Sequence, residues 1–170
     1  MTIWHLDPDH STVDFSVRHM MFAKVRGSFL QWTATLSEED GVLRGVTVEV
    51  QVASVDTREP QRDGHLRSAD FFDAENHPVM RFEGRPTGDT SGRFQLEGEL
   101  SIRGTSRPVV LQAEFLGAGK DPWGNARRGF HATGSINRHD FGLNWNAALE
   151  LGGVLVGETV DIEIDVEVVG

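Results

Sequence analysis

Three polar residues near the middle of the chain, Asp63, His65 and Ser68, are of the types that form a nucleophilic catalytic triad. They lie in Thr57–Phe82, the only substantial segment in which apolar and polar residues do not alternate. This segment is predicted to contain a short helix. Residues 63, 65 and 68 would not share one helical face, because neighbours on a helix lie three or four positions apart. The sequence also has no GxSxG nucleophile elbow. A structural role is therefore favoured, and no catalytic residue is predicted.

Histidine is the other residue type that could do chemistry here, as a metal ligand. The sequence contains neither an HExxH nor an HxH pair, and it has no cysteine. The histidines are interpreted as hydrogen-bonded residues of turns and barrel ends, and no metal site is predicted. A composite site assembled by the fold is left open. The seven histidines are His5, His10, His19, His65, His77, His131 and His139.

The predicted helix carries residues that would stabilise and position it. Thr57 or Glu59 is expected to cap its N-terminus. Asp63 precedes Arg67 by four residues, which is the favourable order for an ion pair along a helix. These two residues and His65 are expected to hold the helix against the barrel end without taking part in catalysis.

The segments on either side of this helix are predicted to be β-strands. Apolar residues occupy every second position from Val46 to Val52 and from Val160 to Val168, a period typical of strands with one dry face. Eight strands with turn residues between them favour an antiparallel meander that closes into a barrel, with a sandwich left open. The predicted strands are Thr12–Val17, Phe29–Leu36, Leu43–Val52, Val79–Gly84, Phe94–Ile102, Val109–Phe115, Phe130–Ile136 and Thr159–Val168.

Composition narrows the classes of partner and location. The 170 residues are expected to form a single domain, 1–170, and the net charge of −10 argues against nucleic acid and weakly against anionic membrane surfaces. No apolar run approaches the ~20 residues of a membrane helix, so no membrane insertion is expected. The N-terminus lacks the basic and apolar regions of a signal peptide. A cytoplasmic location is expected for the sequence as written, and a periplasmic or extracellular one if the chain is processed.

Several motifs together resemble those of the YceI-like family of polyisoprenoid-binding proteins, over Trp4 to about Val168. The resemblance implies an all-β fold, a single antiparallel eight-stranded lipocalin-like β-barrel with a short helical insert near residues 60–70 and a hydrophobic tunnel for an isoprenoid chain. Relatives are often periplasmic and often dimeric, so a homodimer is expected. Ser101 stands where Thr is usual, a minor change. The motifs are Trp4–Asp7, His10–His19, Val25–Phe29, Ala53–Thr57, Arg62–Ser68, Phe71–Asp73, Pro78–Phe82, Gly98–Gly104 and Ile136–Gly142.

The alternating strands and the resemblance lead to one hypothesis, a carrier or storage protein for a long-chain isoprenoid, either a polyprenyl lipid or a quinone. No cofactor is predicted other than this bound lipid. Two alternatives stay open: an enzyme acting on an isoprenoid or quinone with a site around His65, and a packed structural barrel that binds another protein. The predicted ligand-binding residues are Val13, Phe15, Val17, Phe29, Val48, Val50, Met80, Phe82, Phe94, Leu96, Gly98, Leu100, Phe130, Ala132, Gly134, Ile136 and Phe141.

Small residues on the dry face locate the predicted tunnel. If Gly98, Ala113, Ala132 and Gly134 point inward, they leave a channel between bulky aromatic walls. The competing interpretation is that small barrels alternate small and large residues to fit their taper.

Overall fold

A computed structural model describes residues 1–147 and 155–170 of the chain. The described part consists of β-strands, one α-helix of eight residues and three short 3-10 turns. The strands are β1 (Thr2–Leu6), β2 (Thr12–His19), β3 (Ala23–Phe29), β4 (Trp32–Glu39), β5 (Val42–Gln51), β6 (Val55–Asp56), β7 (Val79–Thr87), β8 (Arg93–Ile102), β9 (Thr105–Lys120), β10 (Ala126–Asn137) and β11 (Val156–Val169), and the helix α1 is Pro60–Arg67.

Eight of these strands form a closed cycle. They follow the order β1, β4, β5, β7, β8, β9, β10 and β11, and β11 returns to pair with β1. All the pairings are antiparallel, as expected when short turns join successive strands. The predicted eight-stranded antiparallel barrel with a short helical insert is therefore confirmed, and the sandwich alternative is wrong.

The remaining strands form a flap on one side of the barrel. Residues Val156 to Asp165 of β11 pair with β2, β2 pairs with β3, and β3 pairs with the two-residue β6. Closure of the main cycle leaves its eight described strands without a long free edge that could pair with a second copy. Within the described residues, the pairing of β3 with β6 begins only at Ser28, so the edge from Ala23 to Gly27 stays open. The homodimer itself remains a prediction.

Several predicted strand ends are wrong, since β2, β7, β9, β10 and β11 extend beyond the predicted bounds. The predicted strand Thr12–Val17 also lies outside the cycle, where β1 takes its place. A third difference concerns β3 and β4. The sequence interpretation made Phe29–Leu36 a single strand, whereas Phe29 ends β3 and Trp32 begins β4. The break arises because Leu30 N–H donates to the Ser54 carbonyl (3.2 Å) and Gln31 N–H donates to Ser54 Oγ (3.0 Å). Strands β1, β3 and β6 were also missed, since each is short or only weakly alternating.

The strand register defines two ends of the barrel. At the end we call the helix end, His19 of β2 pairs with Val156 of β11, and α1 links the neighbouring termini of β5 and β7. At the other end, which we call the clamped end, Val169 pairs with His5 and with Arg127. Both the β2–β3 turn and α1 therefore lie at the helix end, while the β9–β10 turn lies at the clamped end.

A single side chain organises the apolar packing of the clamped end. Trp4 is only 6% exposed, and the Arg128 guanidinium lies 4.8 Å from the centre of its ring, a cation–π contact. Arg128 also forms an ion pair with Glu38. Gly170 packs so closely on Trp4 that an added Cβ would lie 2.6 Å from the indole. The clamped end is thereby sealed around one indole ring.

Helix α1 is capped and anchored by residues near it in sequence. The Glu59 carboxylate accepts hydrogen bonds from the N–H groups of Gln61 (3.3 Å) and Arg62 (2.5 Å), which confirms one of the two predicted caps. Asp63 does not form the predicted ion pair with Arg67. Its Oδ1 accepts instead from Thr57 N–H (2.8 Å) and Thr57 Oγ1 (2.5 Å), because the buried carboxylate faces the strand side of the helix.

Candidate functional site

The barrel encloses a cavity of about 790 Å³. This volume lies within the range of about 300–1,000 Å³ that is typical of small-molecule sites. The lining consists mostly of side chains that alternate inward along the strands. The predicted ligand-binding residues that line it are Val13, Phe15, Val17, Phe29, Val48, Val50, Met80, Phe82, Phe94, Leu96, Leu100, Phe130, Ala132 and Ile136.

Three predicted site residues lie away from the cavity surface. The ring of Phe82 covers Gly98, where an added Cβ would lie 2.7 Å from the ring and 2.3 Å from the Glu83 carbonyl oxygen. Leu111 similarly covers Gly134, with its Cδ2 2.5 Å from an added Cβ. Phe141 is 2% exposed and packs within the core. The two glycines therefore admit a neighbouring side chain and do not open a channel, which corrects that part of the prediction.

The two alanines among the small residues lie on the cavity surface. Ala113 and Ala132 pair across β9 and β10, and both line the cavity. Inward residues of β4, β9 and β11 also line it, although the sequence interpretation omitted them from the site. The same period-two pattern would have identified them: Ala34, Leu36, Val109, Leu111, Val160, Ile162, Ile164 and Val166.

Polar residues line the cavity mainly at the helix end. Arg18 and His19 come from the end of β2, and Arg138 follows the end of β10. The helix contributes others, of which Arg62 is fixed by hydrogen bonds from Nε to Thr57 Oγ1 (2.8 Å) and from its terminal nitrogen to the Thr57 carbonyl (2.9 Å). The cavity thus has an apolar body and a polar rim at one end. The helix residues of the rim are Glu59, Gln61, Arg62 and His65.

The triad-type residues of the helix each have a different partner. His65 Nε2 lies 2.8 Å from an Asp70 carboxylate oxygen, and Ser68 Oγ donates to the His65 carbonyl (2.6 Å). Asp63 is committed to Thr57. No Asp–His–Ser relay connects these three side chains, which agrees with the helical-geometry argument.

His65 also joins the helix to the segment after β10. Its ring packs edge-on against Trp145, with centroids 4.6 Å apart, and against Phe71 at 5.1 Å. Leu66 of the same helix packs against the apolar cluster that contains Phe29 and Val50. These contacts connect the helix to its neighbours, and the holding role expected of His65 remains a prediction.

Arg138 is a buried cation, 3% exposed, and the sequence interpretation did not single it out. Its guanidinium donates to the carbonyls of Leu143 (2.6 Å), Trp145 (2.9 Å), Gly157 (2.7 Å) and Val156 (3.2 Å). Burial lowers its pKa, and the nearby Glu158 carboxylate opposes that shift. Arg138 therefore holds the segment around Trp145 against the start of β11 and fixes the shape of the rim.

Two groups of described residues bring a histidine close to carboxylates. The first group is Asp7, His10 and Glu167, where the Arg127 guanidinium forms ion pairs with both carboxylates and so stands where a metal ion would bind. In the second group, on the outer face of β10 and β11, His131 Nδ1 lies 2.7 Å from Asp165 Oδ1. His10, His65 and His131 are thus hydrogen-bonded to carboxylates. The expectation that the histidines lie in turns and at barrel ends does not hold for His131, which lies in the middle of β10.

A closed antiparallel barrel with an apolar interior cavity and a polar rim defines a lipocalin-like class of protein. The family model described as the YceI-like domain matches residues 4–168. The UPF0312 protein of Staphylococcus epidermidis is 35% identical over 170 residues, covering 98% of this chain and 97% of that protein. The chain belongs to the YceI-like family, and the resemblance found in its motifs is confirmed.

Solved structures show the same fold. The YCEI protein of Campylobacter jejuni is 28% identical, with a TM-score of 0.78, over 90% of this chain and 89% of that chain. A polyisoprenoid binding domain from Saccharophagus degradans has a TM-score of 0.73 at 12% identity, covering 98% of both chains. Among the described residues, no helix is long and apolar enough to cross a membrane.

Proposed function

We propose that this protein binds one long-chain isoprenoid lipid, a polyprenyl lipid or a quinone, inside the barrel and serves as its carrier or store. The observation that carries this proposal is the 790 Å³ cavity with its apolar body. Membership of the YceI-like family supports it. The name of the Saccharophagus degradans domain, which describes it as polyisoprenoid binding, gives a further reason to test this lipid class first.

The size and dryness of the cavity favour an apolar occupant. A dry void of this size would leave the wall atoms without packing partners, which costs free energy. An occupant that matches the walls removes that cost. Water would find few hydrogen-bond partners along the apolar walls, whereas burying an apolar chain contributes about 25 cal/mol per Å².

The same geometry bears on the two alternative functions. A barrel packed solid by its own side chains would leave no cavity of 790 Å³. An enzyme site around His65 would need a nucleophile in line with this histidine, but Ser68 Oγ donates to the His65 carbonyl and Asp63 accepts from Thr57, so neither completes a relay with the imidazole. Lipid binding is the function that the geometry supports best.

Mass spectrometry tests the proposal directly. The protein is purified without added lipid, and both the intact complex and an organic extract are measured. We expect a long-chain isoprenoid close to one per protein. Apo protein alone, persisting after incubation with polyprenyl lipids and quinones, would contradict the proposal.

A pair of neighbouring substitutions separates cavity filling from general damage. Ala132→Trp places an indole in the cavity, while Thr133→Trp places one on the exposed outer face of the same strand. We expect Ala132→Trp to lose most bound lipid and keep a cooperative thermal transition, and Thr133→Trp to keep wild-type lipid content. Equal lipid content in the two variants would show that the lipid lies elsewhere. Gly134 is unsuitable for this test, because a larger side chain there would clash with Leu111.

A further inference from the structure

The turn between β2 and β3 exposes three consecutive apolar side chains. Met20 is 41% exposed, Met21 58% and Phe22 85%. Scattered exposed apolar residues are ordinary, but a contiguous group at the tip of a hairpin is a feature of interaction sites.

The backbone of this turn makes the choice of residues more unusual. Met20 and Met21 have φ values of +53° and +67°, in the left-handed region that Asn and Gly enter most readily. The Phe22 N–H closes the turn on the His19 carbonyl (3.3 Å). Asn-Gly would form such a turn with less strain, so its own stability does not account for two methionines.

The tip lies at the helix end and extends past the neighbouring barrel strand. The last residue of β10, Asn137, pairs with Thr159, whereas His19 pairs with Val156, the first residue of β11. Arg18 and His19, at the base of the tip, line the cavity rim. A partner that bound the tip would therefore also lie against the cavity rim.

The charge of this hairpin is opposite to that of the whole chain. Arg18, Lys24 and Arg26 are exposed, and no acidic residue occurs from Phe15 to Ser37, although the net charge is −10. The nearest acidic residue on the adjoining end of β11, Glu158, lies 3.9 Å from His139 Nδ1. Because salt screens distant exposed charges, a surface at the tip interacts most strongly with the charges that the hairpin itself carries, and these are cationic.

We propose that the β2–β3 tip docks on an anionic lipid bilayer, with the side chains of Met20, Met21 and Phe22 in the interfacial layer and the three cations at the headgroups. Apolar side chains flanked by Lys and Arg are the chemistry that such surfaces bind. A protein partner fits less well, because a convex tip of three side chains supplies little of the roughly 1,200–2,000 Å² that a stable interface buries. Such docking would be peripheral, with no spanning segment.

Docking would place the cavity rim at the membrane surface, where an apolar lipid could pass between bilayer and barrel. This exchange role rests on the lipid-binding function proposed above, whereas the docking itself rests only on the hairpin.

Vesicle co-sedimentation tests the docking. The full chain is mixed with vesicles of phosphatidylcholine plus phosphatidylglycerol, or of phosphatidylcholine alone. We expect binding to the anionic vesicles that weakens with salt. Replacing the tip in the combined variant Met20→Asn, Met21→Gly and Phe22→Ser should lower that binding about tenfold or more, since an apolar residue lost from the interface is worth at least that factor. The variant should melt no lower than wild type, because Asn-Gly suits the turn.

Two further variants complete the experiment. Trp123→Ser removes an equally prominent apolar side chain, 81% exposed, from the β9–β10 turn at the clamped end, and it should bind vesicles as wild type does. Lys24→Gln with Arg26→Gln should reduce binding to anionic vesicles and leave folding intact. Should the combined tip variant prove unstable, Phe22→Ser alone tests the same apolar contact.

Three results would overturn the proposal: no vesicle binding, equal binding to neutral and anionic vesicles, or an equal loss with Trp123→Ser. A tip-dependent shift in oligomeric state without vesicle binding would assign the tip to a second copy of the chain. Bound lipid is measured on the same samples. Protein that stays lipid-free after incubation with polyprenyl lipids and quinones but still binds vesicles would contradict the proposed function and leave the docking standing.

Discussion

The two ends of the barrel are held together over different distances along the chain. At the helix end, Asp63 bonds to Thr57 six residues away, and Glu59 caps the residues that immediately follow it. At the clamped end, Arg127 bonds to Asp7 and Glu167, which are 120 and 40 residues away. The polar bonds of α1 are therefore local in sequence, with the His65–Trp145 ring contact as its long-range tie, whereas those of Arg127 join distant strands.

Because of this difference, we expect the clamped end to determine the stability of the fold and the helix end to determine access to the cavity. Loosening a locally bonded helix leaves the strand cycle intact, whereas loosening the clamped end releases β1 from β4 and β11. The polar rim and the apolar turn between β2 and β3 both lie at the helix end, where we expect local opening to cost less free energy. We expect substitutions at the clamped end to act on folding, and those at the helix end to act on ligand exchange.

Exchanging one tryptophan at each end gives the largest expected contrast. Trp4→Ala should lower the free energy of unfolding by about 3–5 kcal/mol, the usual loss for a buried aromatic residue. Trp145→Ala removes a half-buried ring that packs on His65 and Phe71, and we expect well under half that loss. Urea denaturation measures both. A larger loss for Trp145→Ala would invert the assignment of the two ends.

The anchor of α1 provides a test of intermediate size. Asp63→Asn weakens a buried acceptor of two hydrogen bonds from Thr57 and should cost about 1–3 kcal/mol. Release of a bound fluorescent lipid should also become faster, because the helix contributes to the rim. Glu75→Gln, at an exposed carboxylate in the segment after α1, is the matched control. Unchanged or slower release in Asp63→Asn would argue against a role of α1 in ligand exchange.

Acid stability gives the smallest effect, confined to low pH. Burial raises the pKa of Asp121, but hydrogen bonds from Asn125, Arg127 and Trp123 outweigh it and lower the pKa to about 2. An unfolded Asp titrates near 3.9, so this carboxylate stabilises the fold above that pH, and its contribution is lost as the pH falls towards 2.

Acid titration of unfolding checks this expectation. Asp121→Asn should show less loss of stability between pH 4 and pH 2 than wild type, together with a lower stability at pH 7. Asp40→Asn, at the exposed turn between β4 and β5, should follow the wild-type curve. Parallel curves for Asp121→Asn and wild type would show that Asp121 makes no pH-dependent contribution to stability.

The barrel was predictable because its strands follow one simple rule. Side chains that alternate along a strand face either water or the interior, so Val160 to Val168 reveal their orientation without any knowledge of their neighbours. The helix was predictable for a related reason, since Glu59 and Pro60 act on the first turn that follows them. Short strands such as β6 lack enough residues to show a period.

The small residues of the site show where sequence reasoning fails. Ala132 and Gly134 lie two positions apart on β10 and are similar in size, so the period-two pattern places both on the inner face. Ala132 does line the cavity, but Gly134 lies under Leu111. Whether a small residue opens space depends on the side chain across the strand pair, and one sequence does not supply that conformation. Arg138 was missed for the same reason, because its four carbonyl partners come from two separate segments.

The pairing of β1 with β11 also governs when the barrel can close. His5 pairs with Val169, so the first strand of the barrel waits for its last strand before the cycle is complete. Contacts at such sequence separation give a high contact order, which slows folding. Until β11 is made, β1 can pair only with β4 in this cycle, and the inward faces of the strands stay exposed to water. The interior is therefore enclosed late in folding, only after the last strand of the cycle has been made.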